Sequence, residues 1–486
     1  MISTTAPVAY FAIMILVSVA MGTLLLVVVA FIRRWQQIRY ARYIHSLQRQ
    51  YRPVLAKVLT GLRSPSVMEA LRELSTADID LLLDPLFARR KLIERQRVFL
   101  QALCSELGLI ALWQKRAGNG HGLAIPTYGR RAGDFCERPT VRNLLRARSI
   151  RNLGMLQHRP SWRLLASTLD DRHRDIQLVA LQSLTTLRAP EGFDVLRERL
   201  HEVVQGESSF PPLQSLVAAM TSFDLRCVPA LLPSLCHWNR QIRLHTTEVL
   251  RMMVCREAVR RPGFALTEEL LSAPMVELLL TGLAVDISAE IRSRAADVLV
   301  YLADPRTPLV LHKLLSDPQW IVRLHTLRAL AHLRQATAPL NLDIRNFLRD
   351  PHWQVREAAI QALLSLGQEE KHELYEYYLS SPDRTVREQI AEMILRTGLM
   401  SALVEDYSAG VKGVNALMVE ELASHVAPTG LSGVLRNLDM GIRQKFLERL
   451  LPNTQSRRRV PEERQTAMER AHYLQQGLEF PSHLAA

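Results

Sequence analysis

The chain has 486 residues, 48% of them hydrophobic and 6% aromatic, a composition that can bury a large core of Leu, Val and Ala and suits helices. Lys and Arg number 61 against 48 Asp and Glu, a formal charge of +13 that directs attention to an anionic partner, nucleic acid or a membrane surface. The five cysteines, Cys104, Cys136, Cys227, Cys236 and Cys255, are odd in number and include no C-x-x-C pair, so neither a disulfide framework nor a zinc site is signalled.

No side chain from Met1 to Ile32 is charged, and Val8 to Ile32 is almost wholly apolar. That length predicts a transmembrane helix, since a bilayer needs about 20 apolar residues. The positive charge follows the run instead of preceding it, which favours an uncleaved anchor over a secretory signal. Eight basic residues lie between Arg33 and Arg63, with no Asp or Glu among them. The positive-inside rule then places the N-terminus outside and the rest of the chain in the cytoplasm, as a single-pass protein of an inner membrane. These eight account for +8 of the +13. Arg33, Arg34, Arg39 and Arg42 are the candidates for contact with anionic lipid headgroups.

Helical patterning runs through 33–115. Ser64-Pro65 and Asp84-Pro85 read as helix boundaries, because Ser or Asp caps a helix and Pro suits its first position. A Gly- and Pro-rich loop is expected over 116–139. Its Gly118-Asn119-Gly120-His121-Gly122 lacks the strand and the GK[ST] ending of a phosphate-binding loop.

A repeat follows. Asp317 to Leu330 reads D-P-Q-W-I-V-R-L-H-T-L-R-A-L, and Asp350 to Leu363 reads D-P-H-W-Q-V-R-E-A-A-I-Q-A-L, offset by 33 residues. A period of this size marks a stacked repeat protein. Alignment on the Val-Arg pair gives further units at Val141-Arg142, Ile176-Gln177, Leu213-Gln214, Ile242-Arg243, Ile291-Arg292 and Val386-Arg387. The wide step before Ile291 implies an insertion near Arg260 to Pro274. Val355, Ala359, Ala362, Leu363 and Leu366 fall on one face of a 3.6-residue helix. Beyond Arg396 the pattern decays, with two further helices expected near Met418 and Ile442.

At these residues the chain resembles the HEAT repeat family, in the short bacterial form also found in phycobilisome-lyase-like proteins, over about Val141 to Arg396. The resemblance implies a ladder between repeats, built from a turn Asp and a second-helix Arg. Asp317/Arg323 and Asp350/Arg356 fit it, each six apart. Asp383/Arg387 departs in spacing, and Gln177 and Gln214 lack the Arg. The expected fold is therefore all-α: a HEAT-type α-solenoid of about eight or more helical-hairpin repeats behind one transmembrane helix. The expected segments are 8–32 transmembrane, 33–115 basic and helical, 116–139 loop, 140–400 solenoid, 401–450 divergent helices and 451–486 polar tail.

No catalytic motif of the hydrolase, zincin or kinase type is present. His312, His325 and His332 lack metal-ligand spacing, and His325 reads as a half-buried packing residue. Trp320 and Trp353 hold equivalent positions and read as stacking between repeats. No cofactor is expected. The leading reading is a non-catalytic, membrane-anchored scaffold that binds partner proteins, with an accessory subunit of an envelope polysaccharide or secretion machine as its narrower form. The basic balance of the chain leaves a nucleic-acid-binding protein as one alternative, and the family's relatives, which include chromophore lyases and DNA alkylpurine glycosylases, leave a lyase-like enzyme as another.

Advancing 100° per residue from Val355 places Glu357, Gln361 and Ser365 opposite the core. The equivalent positions are Leu244, Glu248 and Met252; Ser293, Asp297 and Tyr301; Leu324, Arg328 and His332; Glu388, Glu392 and Arg396. In stacked HEAT units these line the concave face. Five acids against two bases make that face −3, which suits a basic and apolar protein segment and makes nucleic acid an unfavourable ligand.

Overall fold

The computed structural model describes residues 6–54, 65–88, 93–118, 139–267, 270–332, 344–425 and 435–457. Among them the secondary structure is helical, apart from one parallel bridge between Leu266 and Leu302. The chain forms two compact units, Met1–Phe223 and Asp224–Ala486. The division falls inside the stretch expected to be one solenoid.

The first unit contains α1 (Ala6–Gln50), α2 (Pro65–Arg72), α3 (Thr76–Ala88), α4 (Glu94–Glu106), α5 (Leu109–Ala117), α6 (Pro139–Met155), α7 (Trp162–Ser167), α8 (Arg174–Leu187), α9 (Pro190–Gln205) and α10 (Leu213–Met220). Among the described residues, no helix is long and apolar enough to cross a membrane. The transmembrane helix over 8–32, and the single-pass inner-membrane location built on it, are corrected accordingly. The apolar run is no bounded element: it is the leading part of one 45-residue helix that continues through Arg34, Arg39, Arg42 and Arg49. The described apolar side chains of that part, such as Leu16, Leu26 and Phe31, are exposed. The other end of α1 docks on α3, where Leu47 is buried and the Tyr43 hydroxyl donates to Asp78 at 2.9 Å.

Asp84-Pro85 does not bound a helix; it lies inside α3. The reason is the use made of the acids. Asp80 and Asp84, one turn apart on α3, collect cations from the next helices instead of capping their own. Asp80 accepts from Trp113 Nε1 at 2.8 Å and from Arg116 at 2.6 Å, both on α5. Asp84 pairs with Arg148 at 2.9 Å and with Arg151 at 2.6 Å, both on α6. Phe87 packs edge-on against the Trp113 ring. This network ties the basic N-terminal helices to the first repeat helix. Further on, α6 and α8 approach so closely that a Cβ on Gly154 would lie 2.6 Å from that of Ser183.

The second unit is the regular one. Its main helices are α11 (Arg240–Arg260), α12 (Ala289–Leu299), α13 (Thr307–Leu315), α14 (Trp320–His332), α15 (Trp353–Leu366), α16 (Gln368–Ser380), α17 (Arg384–Arg396), α18 (Leu399–Ala409), α19 (Val414–His425) and α20 (Met440–Arg457). The alignment anchors Ile242, Ile291, Val322, Val355 and Val386 are all buried, as the periodicity requires. Ala359, Ala362 and Leu363 are buried with Val355. The insertion after Arg260 tucks back, its Leu266 N–H donating to the Tyr301 carbonyl at 2.6 Å.

The ladder is present, and each Arg does two jobs. Its Nη1 reaches back to carbonyls of its own turn: Arg323 to Asp317 O at 2.8 Å, Arg356 to Asp350 O at 2.8 Å. The other guanidinium nitrogens reach forward to the turn acid of the next repeat. Arg243 grips Asp286 at 2.8 and 3.2 Å, Arg292 grips Asp317 at 2.7 and 2.9 Å, and Arg323 grips Asp350 at 2.7 and 3.0 Å. Each of these acids also accepts a backbone N–H two residues on, from Ser288, Gln319 or His352, all at 2.9 Å. One carboxylate thus shapes its turn and joins two repeats, through bidentate pairs of the stronger kind. In the first unit Gln177 keeps only the backward half, donating to Asp171 O at 2.7 Å, while Arg146 supplies the cation for Asp171 at 2.5 Å.

Arg356 differs. Its forward partner is the neutral Gln389, at 2.9 Å, and Asp383 turns its carboxylate to the N–H groups of Thr385 and Val386. The turn acid that the spacing offers Arg356 is therefore spent as a helix cap. Arg356→Ala should cost about 2 kcal/mol, within the range for hydrogen bonds that involve a charged group. Denaturant unfolding of the full chain checks this, and an unchanged transition would count against a structural role for the side chain.

Candidate functional site

The candidate face is the run of second helices α11, α12, α14, α15 and α17 in the second unit. The rungs fix α11 to α15 in order, and the Arg356–Gln389 bond adds α17, so residues at equivalent positions fall in rows. Arg328, Gln361, Glu388, Glu392, Arg396 and Met252 are exposed. Leu244, Glu248, Asp297, Tyr301, Glu357 and Ser365 are half-buried. Two expected floor residues are corrected: Ser293 and Leu324 are buried, at 3% and 4% exposure. Both sit where neighbouring second helices meet, and the Ser293 hydroxyl bonds back to Glu290 O at 2.9 Å. The His332 side chain lies outside the described residues.

The acids of this face are paired. Glu248 accepts from Arg251 at 2.6 Å on its own helix and from Arg294 at 2.7 Å on the next. Asp297 stands 3.6 Å from Arg251 and 3.2 Å from His325 Nδ1. Glu357 and Glu392 share Arg396, at 3.4 and 3.9 Å, and Glu388 takes Arg384 at 2.7 Å. A chain of polar contacts thus crosses three second helices: Arg294, Glu248, Arg251, Asp297 and His325. Sequence spacing missed Arg251 and Arg294, which lie just off the chosen stripe; the Glu248/Arg251 interval of three was the available signal. With those two included, the balance of the face falls from −3 to −1.

The electrostatics of the cluster follow from its burial. Burial opposes ionisation of Glu248, but bonds from Arg251 and Arg294 override it and hold the carboxyl below its usual range. Burial, then the charge of Arg294, lowers His245 and favours its neutral form. Burial, then Asp297, pushes the Cys255 thiol up. A nucleophilic cysteine needs the opposite shift. Among the described residues no group of three or more His, Cys, Asp or Glu could hold a metal ion.

Aromatic contacts occupy the turn edge. Trp320 stacks on His352 of the next repeat, centroids 5.3 Å apart and planes 12° from parallel, while Trp353 is largely exposed. The repeat-to-repeat stack is therefore Trp on His, not Trp on Trp.

The charge is divided between the units. Residues 1–223 carry 30 Lys and Arg against 17 Asp and Glu, and residues 224–486 carry 31 against 31. The whole net charge thus belongs to the first unit. On α1, Arg34, Arg39 and Arg42 are exposed, with the Arg39 guanidinium 4.5 Å over the Trp35 ring; the Arg33 side chain lies outside the described residues.

Fold and face together define an all-helical protein of stacked repeats. The HEAT repeat family model matches residues 343–369, the stretch that holds Asp350, Arg356 and α15. No curated protein matches the chain. Solved structures similar to it include an engineered protein, 15% identical, with 76% of this chain and 98% of that one covered and a TM-score of 0.31. Kap121p bound to RanGTP is 12% identical, with 84% and 52% covered and a TM-score of 0.35. Importin beta in an ammonium sulfate condition is 13% identical, with 88% and 58% covered and a TM-score of 0.33. The chain thus spans little more than half the length of Kap121p and of importin beta.

Proposed function

We propose that the chain is a non-catalytic scaffold whose second unit docks a segment of a partner protein along its second-helix face. The observation that carries this reading is the face itself: consecutive second helices, those from α11 to α15 joined by ionic rungs, presenting Met252, Arg328, Gln361, Glu388 and Glu392 to solvent. Rigid elements that display mixed apolar and charged side chains suit protein recognition. Nucleic acid fits less well, because phosphate binding rests on excess Lys and Arg and the second unit has none. Reversing Glu388 and Glu392 to Lys should reduce recovery of the partner at least tenfold with unfolding unchanged. Salt-sensitive DNA or RNA binding by the chain, strengthened by these substitutions and lost on reversing Arg328 and Arg396 to Glu, would replace this reading with the nucleic-acid one.

The charge of the first unit supports a second contact, with anionic lipid headgroups, through Arg34, Arg39 and Arg42. About 1 kcal/mol per basic side chain near such a surface is the expected scale. Sedimentation with phosphatidylserine vesicles should weaken with salt and on reversing these three residues. Equal sedimentation with neutral vesicles at all salt concentrations would remove the electrostatic contact.

A further inference from the structure

The ladder of the second unit is uneven, and the unevenness has a position. The joints from α11 to α12, α12 to α14 and α14 to α15 each carry a bidentate Arg–Asp rung. The joint from α15 to α17 carries one bond to a neutral amide, Arg356 Nε to Gln389 Oε1. Asp383 stands 33 residues after Asp350, the repeat interval, yet it is exposed and caps its own helix. Arg387, the ladder position of α17, has its Nε buried without a hydrogen-bond partner among the described residues. Across the face the same joint is bridged by Arg396 and Glu357 at 3.4 Å, and Arg396 is largely exposed, so water screens that pair.

We propose that this joint is the compliant one: the helices from α16 onward open from α15 as a single piece, while the rungs hold α11 to α15 together. Each Arg–Asp rung joins two opposite charges through two parallel bonds, whereas Arg356 makes one bond to an uncharged acceptor, and repeat stacks are only as firm as their nearest-neighbour contacts. The opening separates Glu357 on one side from Glu388, Glu392 and Arg396 on the other. It therefore changes the width of the face without disturbing the rows on α11 to α14. The joint is read from the ladder alone and stands whatever occupies the face.

Hydrogen exchange of the full chain tests this. In the wild type, amides of α17, α18 and α19 should share one rate, with a step to slower exchange at α15. Gln389→Glu keeps the side-chain length and converts the bond into an ionic rung. It should slow exchange in α17 to α19 about tenfold and leave α11 to α14 unchanged. A smooth gradient from the C-terminal end, a step at another joint, or a step that Gln389→Glu leaves in place would each overturn the proposal.

Discussion

Replacing Asp80 by Ala should cost about 3–5 kcal/mol, the scale for breaking a buried ion pair and leaving one charge uncompensated. Asp80 and Arg116 are each 1% exposed and stand 2.6 Å apart. Removing the carboxylate strands the guanidinium and takes the acceptor from Trp113 Nε1. It also removes an anionic partner of Arg148, 3.6 Å away on α6. The charge of Asp80 is felt nearby, since burial and then this carboxylate push the Cys104 thiol up. Denaturant unfolding of the full chain measures the loss. A loss under about 1 kcal/mol, the scale of an exposed pair, would mean that water reaches the pair.

Asp350→Ala should cost about 3 kcal/mol, again by stranding a mostly buried Arg, here Arg323. The effect exceeds that of Arg356→Ala because Asp350 serves two repeats: it holds the His352 N–H and receives Arg323. Burial opposes its ionisation, but the bonds from Arg323 and the His352 N–H, with the guanidinium charge, hold its carboxyl below the usual range. A depressed folded value means that its contribution is complete above the unfolded value, about pH 4, and is lost as pH falls through the folded value. Wild-type stability should therefore fall below pH 4 more steeply than that of Asp350→Asn. Parallel acid profiles for the two proteins would contradict an ionised Asp350 in the rung.

These two sites differ in how far the sequence disclosed them. Asp350 was legible: a turn acid at a fixed interval, six residues before an Arg, has few other uses in a stacked repeat. Which repeat the Arg serves was legible only through the resemblance, because rung partners lie 25 to 43 residues apart in the chain. Asp80 was not legible. Its partners come from α5 and α6, and no period links them. Asp84-Pro85 misled because Asp before Pro is an ordinary helix start, whereas here Asp84 is drawn to Arg148 and Arg151. The apolar N-terminal run misled by its composition, which does not show that the helix runs on into the basic stretch. On the candidate face helical spacing found exposed positions such as Arg328, Gln361, Glu388 and Glu392 but misplaced Ser293 and Leu324, and it did not disclose the pairing. Arg251 and Arg294 reach across to Glu248 from angles that a stripe of every fourth residue leaves out.

Position-specific photo-crosslinking in cells is the sharpest test of protein binding by the second-helix face of the repeats. Gln361 on α15 is exposed on that face, and Leu309 on α13 is exposed on a first helix, at 61%. A photoreactive residue at Gln361 should give one discrete, nuclease-resistant protein adduct that Glu388→Lys with Glu392→Lys abolishes, and the same residue at Leu309 should give none. Adducts that nuclease removes, or the same adduct from both positions, would contradict the claim.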